Sequence, residues 1–392
     1  MFTKCFGVFT QSFGVFIKSC YIFFALLLPI SAQAEQQLIT AGVSLQEYWD
    51  DNFSRTREGV REQITLSSAS VALTKKLSRQ EFSARWKGTD YRHDLREDLD
   101  AQIQVGEFSW DGQWSDRWHS ELLLLRDAYA VDRLEFMDKD IVKKDDAIVK
   151  IGYGDQLLLY IGARHSKQHH SAVVRERLDY DEEEVFAEAK YQTAQQSSLI
   201  ARYKVGERQY PNIVEEFLSD VALGDLDFDY QQVEFESIIQ LTPKTQLNSL
   251  LAYFAREGLL NDDHGALASV DIAWEPRTKL QFKAGYLLKQ PAVGELSDSP
   301  SEVDRVFLSS EWQMTYKILL SMNAYYEEQQ FDGVLSPERK EQVSVISPFN
   351  ITFNYSENIS LRLNSEWEDR ESLLPYRDYT SLQGRLGVFV SF

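Results

Sequence analysis

The chain has 392 residues, with 61 Asp and Glu against 41 Lys and Arg, so its formal net charge at pH 7 is −20. This acidic balance argues against nucleic acid as a partner, because phosphate binding requires basic patches. The two cysteines are Cys5 and Cys20. The chain that follows them must therefore be stable without disulfides.

The start of the chain has the features of a secretory signal peptide. Lys4 and Lys18 precede an apolar run at residues 21–30, which is followed by an Ala-Gln-Ala sequence. A basic region, an apolar core and a small-x-small cleavage sequence together predict a signal peptide at residues 1–34. Residues 35–392 are then expected to form a single folded domain.

Beyond this segment, apolar and polar residues alternate along most of the chain. No run of about 18 apolar residues occurs there, so the sequence contains no candidate transmembrane helix. Alternation has the period of a β-strand and recurs at residues 99–105, 199–206, 280–288 and 359–368. Such runs approach the roughly 9–11 residues that a tilted strand needs to cross a bilayer.

The connections between these strands alternate between short and long. Short turns are expected at residues 75–79, 111–115, 154–156, 194–197, 242–245, 275–278, 313–316 and 356–358. Long loops are expected at residues 50–61, 92–98, 130–144, 169–181, 208–226, 258–265, 290–302, 330–340 and 371–379. This pattern predicts an all-β fold, a transmembrane antiparallel up-and-down β-barrel of about 18 strands (16–18). An even strand number places both termini at the short-turn, periplasmic end.

Acidic and aromatic residues are distributed as such a barrel requires. Acidic residues collect in the expected long loops, as at residues 179–184 and 225–229 and at Asp262, Asp263 and Asp304. Like charges in loops are usually solvated, and here they are expected to face lipopolysaccharide, where divalent cations can bridge them. Aromatic residues are 13% of the chain, and many lie near expected strand ends, as girdles at the two membrane interfaces do.

One parity of each expected strand is polar, and this parity is expected to face the lumen. On the lipid side, an Arg or Lys at the bilayer midplane costs about 2–4 kcal/mol. The expected lumen residues are Arg85, Lys87, Gln102, Gln104, Arg202, Lys204, Gln232, Glu234, Glu236, Gln281, Lys283, Arg362, Asn364 and Glu366. Such a wall predicts a water-filled conduit or, alternatively, an interior closed by side-chain networks.

No group of residues has the pattern of a catalytic or metal site. Residues 165–170 contain three closely spaced His. We interpret them as solvated side chains at a strand end, because a metal site needs further ligands in fixed geometry. The sequence contains no nucleophile elbow and no Gly-rich phosphate loop. The chain is therefore predicted not to be an enzyme and to bind no cofactor or metal.

The last stretch of the chain, residues 381–392, alternates and ends on an aromatic residue. Its apolar parity comprises Leu382, Leu386, Val388, Val390 and Phe392. A strand that ends in Phe392 resembles the signal by which bacterial outer-membrane barrels are recognised for insertion. The resemblance implies the barrel-assembly machinery as a partner and the outer membrane of a Gram-negative bacterium as the location.

A second resemblance lies at the start of the expected domain. Asp50, Asp51, Asn52 and Phe53, with Arg55 two positions later, follow an alternating run. This segment resembles the start of barrels encoded in exopolysaccharide-biosynthesis operons (the EpsL type), also grouped as type 2 β-barrel porins. The run at 82–91 is similar to an early strand of that family, which ends in a small residue, Asp and Tyr. The resemblance implies a barrel that serves polysaccharide secretion.

The chemistry of the same segment indicates a first loop fixed by polar side chains. Asp51 and Asn52 favour turns, because their side chains can hydrogen-bond to nearby backbone. Arg55 is expected to pair with Asp50 or Asp51. As an exposed pair, this contact would contribute about 0–1 kcal/mol.

The function expected from these observations is a porin-like conduit for an exported polysaccharide. Its expected partners are outer-membrane lipid, lipopolysaccharide, the polysaccharide chain and components of the secretion assembly. Two alternatives remain open from the sequence. One is a non-conducting barrel that scaffolds a secretion assembly, and the other is a general nutrient porin.

Overall fold

The computed structural model describes residues 39–193, 197–212, 217–218, 221–222, 226–293, 300–332 and 337–392. The expected signal peptide and Asp225, one of the acidic loop residues, lie outside these ranges. From Ile39 to Phe392 the chain forms one compact unit. In the described part of the chain, no helix has the length and apolarity needed to span a membrane.

The described residues form twenty strands, β1 to β20, and three short 3-10 turns. The strands are β1 (Ile39–Asp50), β2 (Glu62–Leu77), β3 (Gln80–His93), β4 (Ala101–Gln113), β5 (Trp118–Ala130), β6 (Ile141–Gly154), β7 (Leu157–His170), β8 (Tyr180–Gln192), β9 (Ser198–Gln209), β10 (Phe217–Leu218), β11 (Val221–Ala222), β12 (Phe228–Thr242), β13 (Thr245–Gly258), β14 (Asp263–Arg277), β15 (Leu280–Lys289), β16 (Glu302–Gln313), β17 (Ile318–Phe331), β18 (Arg339–Asn354), β19 (Ile359–Ser372) and β20 (Tyr379–Ser391). The 3-10 turns are Glu97–Leu99, Val173–Leu178 and Pro375–Arg377. β10 and β11 pair only with each other in the described structure, as a small hairpin between β9 and β12.

The other strands form one closed sheet of 18 strands. Each strand is antiparallel to the next along the chain, and β9 pairs with β12 across the small hairpin. The ring closes where β1 pairs with β20, from Gly42 opposite Ser391 to Asp50 opposite Gln383. The predicted fold class, a closed antiparallel barrel of about 18 strands, is confirmed.

Among the described residues, the short and long connections fall within a few residues of their predicted positions. Parts of the predicted connections 194–197, 208–226, 290–302 and 330–340 lie outside the described ranges. The turn between β6 and β7 shows why a short turn can require glycine. Gly154 has φ 142°, and a Cβ at this position would lie 1.9 Å from the carbonyl oxygen of Leu157. Because no other residue fits such a position without strain, Gly154 allows a connection of only two residues between β6 and β7.

The two faces of the wall differ in the way that a membrane barrel requires. On β7, Leu157, Leu159 and Ile161 are 53%, 55% and 67% exposed, whereas the alternate residues Leu158 and Tyr160 are buried. In a closed barrel the less accessible face is the lumen. The apolar side chains therefore point outward, where contact with lipid rather than water stabilises them.

Aromatic side chains form pairs on the outer face next to the short turns. Trp118 and Tyr153 have ring centroids 5.1 Å apart in an edge-on arrangement. Trp274 and Phe282 stack at 5.8 Å. These positions are those of an interfacial girdle at the short-turn end of the barrel.

The strands extend beyond the membrane-crossing length at the long-loop end, and some predicted loop residues belong to them. The acidic run that starts at Asp181 is part of β8 and not of a loop. Its residues alternate, with Glu182 and Glu184 buried on the inner face and Asp181 and Glu183 on the outer face. Half of this acidic run is therefore buried in the barrel wall, whereas the sequence predicts that all of it is solvated.

The pairing of β4 with β5 covers only part of each strand. Residues Gly106 to Gln113 pair with His119 to Arg126, whereas Ala101–Val105 pair with β3 alone among the described strands. Ala101 and Ile103 pack in a buried cluster with Ala128 and Ile141. The long-loop end of the β5–β6 hairpin therefore leaves the sheet and packs against the inner face of β4.

Candidate functional site

The lumen wall is the candidate functional site, and the strand registers place most of its predicted residues on it. On the inner face lie Arg85, Lys87, Arg202, Lys204, Gln232, Glu234, Glu236, Gln281, Lys283, Arg362, Asn364 and Glu366. These residues occupy different sectors of the wall and do not form a single cluster. Their surroundings divide the wall into a sector of paired charges and a sector of unpaired cations.

Gln102 and Gln104 lie on the outer face, so their expected lumen position is wrong. They pair with Asp90 and Gly88 of β3, and both are exposed. Ile103, between them, and Ala101 face inward, because they pack against the folded end of the β5–β6 hairpin. Because of this buried contact with a distant part of the chain, the apolar residues of this part of β4 face inward and its polar residues face outward.

The sector of paired charges lies on β8, β9 and β12. Arg202 Nη2 is 2.6 Å from a Glu188 carboxylate oxygen, and Arg202 Nη1 is 2.7 Å from Glu234. Lys204 adds a contact of 2.7 Å to Glu234. Both carboxylates are buried. Because burying an unpaired charge is costly, the alternation of acid and base across these strands fixes the side chains in place.

The same pattern continues toward the long loops. Glu182 accepts hydrogen bonds from Arg208 Nε at 2.8 Å, Arg164 Nη1 at 3.3 Å and the Tyr230 hydroxyl at 3.0 Å. Arg164 Nη2 also donates to Asp146 at 2.6 Å. This part of the wall is therefore electrically compensated and offers few free charges to a solute.

The sector of unpaired cations lies at the short-turn end, on β1, β2, β3, β19 and β20. It surrounds a cavity of about 340 Å³. The lining residues are Gly42, Val43, Ser44, Ser68, Ser70, Lys87, Asn354, Ser356, Glu357, Asn358, Ile359, Ser360, Arg362, Phe389, Val390 and Ser391. Among the described residues, no ion pair includes Lys87 or Arg362, and both side chains are exposed to the lumen. We call this feature the basic cavity.

Neighbouring side chains orient the groups of the basic cavity. The Arg362 guanidinium lies 4.0 Å from the centroid of the Phe389 ring, which is close enough for a cation–π contact. Phe389 is the apolar exception on the inner face of β20, and this contact gives it a role there. Ser44 and Ser68 share a hydrogen bond of 2.6 Å on the adjacent strands.

Residues 50–55, at the start of the domain, form a buried cluster at the opposite, long-loop end of the barrel. Asp50 accepts hydrogen bonds from the Asn52 amide at 2.9 Å, Arg55 Nη1 at 2.8 Å and the Ser381 hydroxyl at 2.8 Å. The expected pairing of Arg55 with an aspartate is found, but the pair is buried and not exposed. The backbone of Arg55 has φ 53°, a left-handed conformation that is strained for a side chain of this size.

The remaining residues of this segment also connect the first loop to the rest of the mouth. Asp51 accepts a hydrogen bond of 2.7 Å from the Leu382 amide on the last strand. The Phe53 ring lies 5.6 Å from the Arg133 guanidinium and 5.6 Å from the His93 ring. The first loop is therefore tied to β20 and to the β5–β6 loop at the barrel mouth.

A second buried polar cluster forms around Asp140. Its carboxylate accepts hydrogen bonds from the Ser171 and Ala172 amides at 2.9 and 3.0 Å, and it lies 3.1 Å from Arg175 Nε. His170 Nδ1 is 2.7 Å away and must carry a proton, because a carboxylate only accepts. His170 is buried, so its expected solvated position is wrong.

The ionised carboxylate of Asp140 stabilises this cluster at neutral pH. Burial acts to raise the pKa of Asp140, but the hydrogen bonds from His170 and Ala172 and the charge of Arg175 outweigh it and hold that pKa below its usual value. A lowered folded-state pKa contributes stability above the ordinary pKa of an aspartate. That stability is lost as the pH falls through the lowered value.

The structure also contains a buried centre that sequence patterns do not reveal. Glu341 is fully buried and accepts hydrogen bonds from Arg339, Arg370 and Arg377. These arginines come from three separate stretches of sequence, so no local spacing marks them as a group. Within the described ranges, no group of three or more His, Cys, Asp or Glu side chains could hold a metal ion.

Comparisons with known proteins identify the fold but no family. No protein-family model and no curated protein matches the sequence. The chain is similar to a BenF-like porin from Pseudomonas fluorescens Pf-5, with a TM-score of 0.51 and 10% identity over 92% of this chain and 100% of that one. It is also similar to OccAB3 from Acinetobacter baumannii (TM-score 0.49, 9% identity, 90% and 99% covered). A further similar structure is OccK1 (OpdK) from Pseudomonas aeruginosa (TM-score 0.48, 10% identity, 90% and 98% covered).

At such low identity, the likeness to the BenF-like porin concerns the fold alone. The class of the molecule is thus a porin-type 18-stranded β-barrel. The comparisons give no support to the EpsL-type assignment suggested by residues 50–55.

Replacing Arg55 tests the buried cluster at the mouth. We expect Arg55→Ala to destabilise the first loop by about 3–5 kcal/mol, because it leaves Asp50 buried without its charge partner. The Asn52 amide, which donates to Asp50, should then exchange its hydrogen much faster by NMR or mass spectrometry.

Arg57→Ala is the matched control. Arg57, in the same loop, pairs with Asp378 of the β19–β20 connection, but 62% of its side chain is exposed, so its loss should cost only about 0–1 kcal/mol. Equal exchange rates at Asn52 in Arg55→Ala and the parent protein would contradict the buried-cluster interpretation.

Proposed function

We propose that the chain is a passive, porin-like conduit for small hydrophilic solutes in the outer membrane of a Gram-negative bacterium. The observation that carries this proposal is the inversion of the wall, with apolar side chains outside and charged side chains inside. The Phe235 side chain on β12 is 58% exposed on the outer face, while its neighbour Glu234 is buried on the inner face. Such a barrel is stable only with lipid around it and a polar interior.

The membrane environment follows from the same asymmetry. The apolar outer side chains favour lipid, and the long connections would face lipopolysaccharide at the cell surface. Asp181 and Glu183 lie on the outer face at that end, and their carboxylates would meet the divalent cations of that layer. Phe392 lies at the β1–β20 closure, where its amide donates to the Ala41 carbonyl at 2.8 Å. This position supports its proposed role as a recognition element for the barrel-assembly machinery.

The polar interior supports a role in transport without catalysis. Charged groups of the β8–β12 sector hold one another in ion pairs and act as a fixed polar lining. The basic cavity leaves exposed cations and hydroxyls facing the lumen. Weak hydrogen bonds to such groups allow a hydrophilic solute to enter and to leave. We propose no catalytic role and no cofactor.

Conductance in a planar lipid bilayer tests the conduit directly. Purified, refolded protein should give ohmic current steps in salt solution, because the polar lumen connects the two sides. Heat-unfolded protein and detergent alone serve as controls and should give none. A correctly folded barrel that stays silent would contradict the conduit and favour a non-conducting scaffold.

We propose exported polysaccharide as a second candidate for the transported solute. The support is the resemblance of residues 50–55 and 82–91 to barrels of exopolysaccharide operons, together with the hydroxyl-lined basic cavity, which suits a sugar chain. A general nutrient porin would use the same lumen for small solutes. The two differ in the size of the molecule that passes.

Deletion of the gene separates these two solute classes. If polysaccharide is the solute, the deletion strain should secrete far less of it, as measured by mass analysis of the culture medium, and the intact gene should restore secretion. Unchanged secretion alongside slower uptake of small solutes would contradict the polysaccharide role and favour the nutrient porin. Loss of secretion with a barrel that is silent in bilayers would favour the scaffold.

A further inference from the structure

We propose that the basic cavity is a binding subsite for carboxylate-bearing, hydroxyl-rich solutes of the uronate type. The inference rests on the proposed function, since it names the solute class that the same lumen selects. The cavity volume of about 340 Å³ lies at the small end of the roughly 300–1,000 Å³ typical of ligand pockets. Its size suits one sugar unit rather than a large ligand.

The charge of the cavity differs from that of the paired sectors of the lumen. Arg202, Lys204 and Arg305 each lie within 2.7 Å of a carboxylate on a neighbouring strand. Lys87 and Arg362 enter no ion pair with any described residue. Glu357 is the acidic residue of the lining and belongs to the β18–β19 turn. Two positive charges are thus available to a solute in a chain whose net charge is −20.

The two cations differ in what they offer a carboxylate. The Arg362 guanidinium is planar and is held over the Phe389 ring at 4.0 Å. A guanidinium held in this way can donate two parallel hydrogen bonds to one carboxylate, which favours a planar carboxylate over a spherical anion. Lys87 contributes a mobile point charge from β3, on the other side of β1 and β2.

Hydroxyl groups between the two cations favour solutes that carry hydroxyl groups of their own. The side chains of Ser44, Ser68 and Ser70 line the cavity on β1 and β2. Each can donate and accept, as the hydroxyls of a sugar require. A Cβ at Gly42 would lie 3.1 Å from the Ser70 Oγ and 3.3 Å from the Val390 carbonyl oxygen. Glycine at this position therefore keeps the floor of the cavity open.

The test measures binding and does not depend on conductance. D-galacturonate, D-galactose and inorganic phosphate are each titrated into the purified full-length protein in detergent, and binding is followed by calorimetry or saturation-transfer NMR. We expect galacturonate to bind more tightly than either of the others. The variant Lys87→Gln with Arg362→Gln should weaken galacturonate binding more than about tenfold, because charge-assisted contacts are lost.

A matched control removes two positive charges elsewhere in the lumen. Lys190→Gln with Lys283→Gln changes residues that face the lumen on β8 and β15, on strands that do not line the cavity, and its galacturonate affinity should stay within about twofold of the parent, since distant charges are screened. The proposal is overturned if galactose or phosphate binds as tightly as galacturonate, or if both double variants lose affinity equally. It is also overturned if no galacturonate binding is detected or if the Lys87 and Arg362 variant binds like the parent.

Failure of this subsite and failure of the conduit give different results. A barrel that conducts but does not distinguish galacturonate from galactose retains the proposed function and loses the subsite. A barrel that binds galacturonate at Lys87 and Arg362 but passes no current retains the subsite and loses the conduit.

Discussion

A strand placed in lipid cannot leave its amide and carbonyl groups without partners, and the architecture follows from this constraint. The pairing of β1 with β20 removes the last free edges, with reciprocal backbone hydrogen bonds of 3.2 and 2.8 Å between Ala41 and Phe392. Once the sheet is closed, strand geometry assigns alternate residues to lipid and to the lumen. The polar lumen is thus a consequence of the same closure.

The charges of the lumen serve two different purposes. Between β6 and β12, acids and bases alternate at salt-bridge distance and stabilise the wall, as Arg202 does with Glu188 and Glu234. Near the short turns, Lys87 and Arg362 have no such partners within the described residues. At the opposite end, buried groups such as Asp50 and Asp140 tie the long connections into the mouth. Buried polar contacts therefore hold the long connections together at one end of the barrel, and the two cations of the basic cavity line the lumen at the other.

Much of this organisation could be predicted from the sequence, because strand period and turn spacing are local properties. The strand count, the alternation of short and long connections and the inward position of Arg202, Glu234 and Arg362 follow from them. Gln102 was misplaced because a hairpin distant in sequence covers the apolar side of its strand. The burial of Arg55 could not be predicted either, because it depends on Ser381 of the last strand.

The central claim is that neighbouring residues on one strand face lipid and water alternately. Chemical labelling tests it directly, because both natural cysteines lie within the first 20 residues. Single variants Phe235→Cys and Glu236→Cys on β12, and Leu361→Cys and Arg362→Cys on β19, are placed in lipid vesicles and treated with a charged thiol reagent. The account predicts rapid labelling at positions 236 and 362 and protection at 235 and 361. Equal labelling at both members of each pair would contradict it.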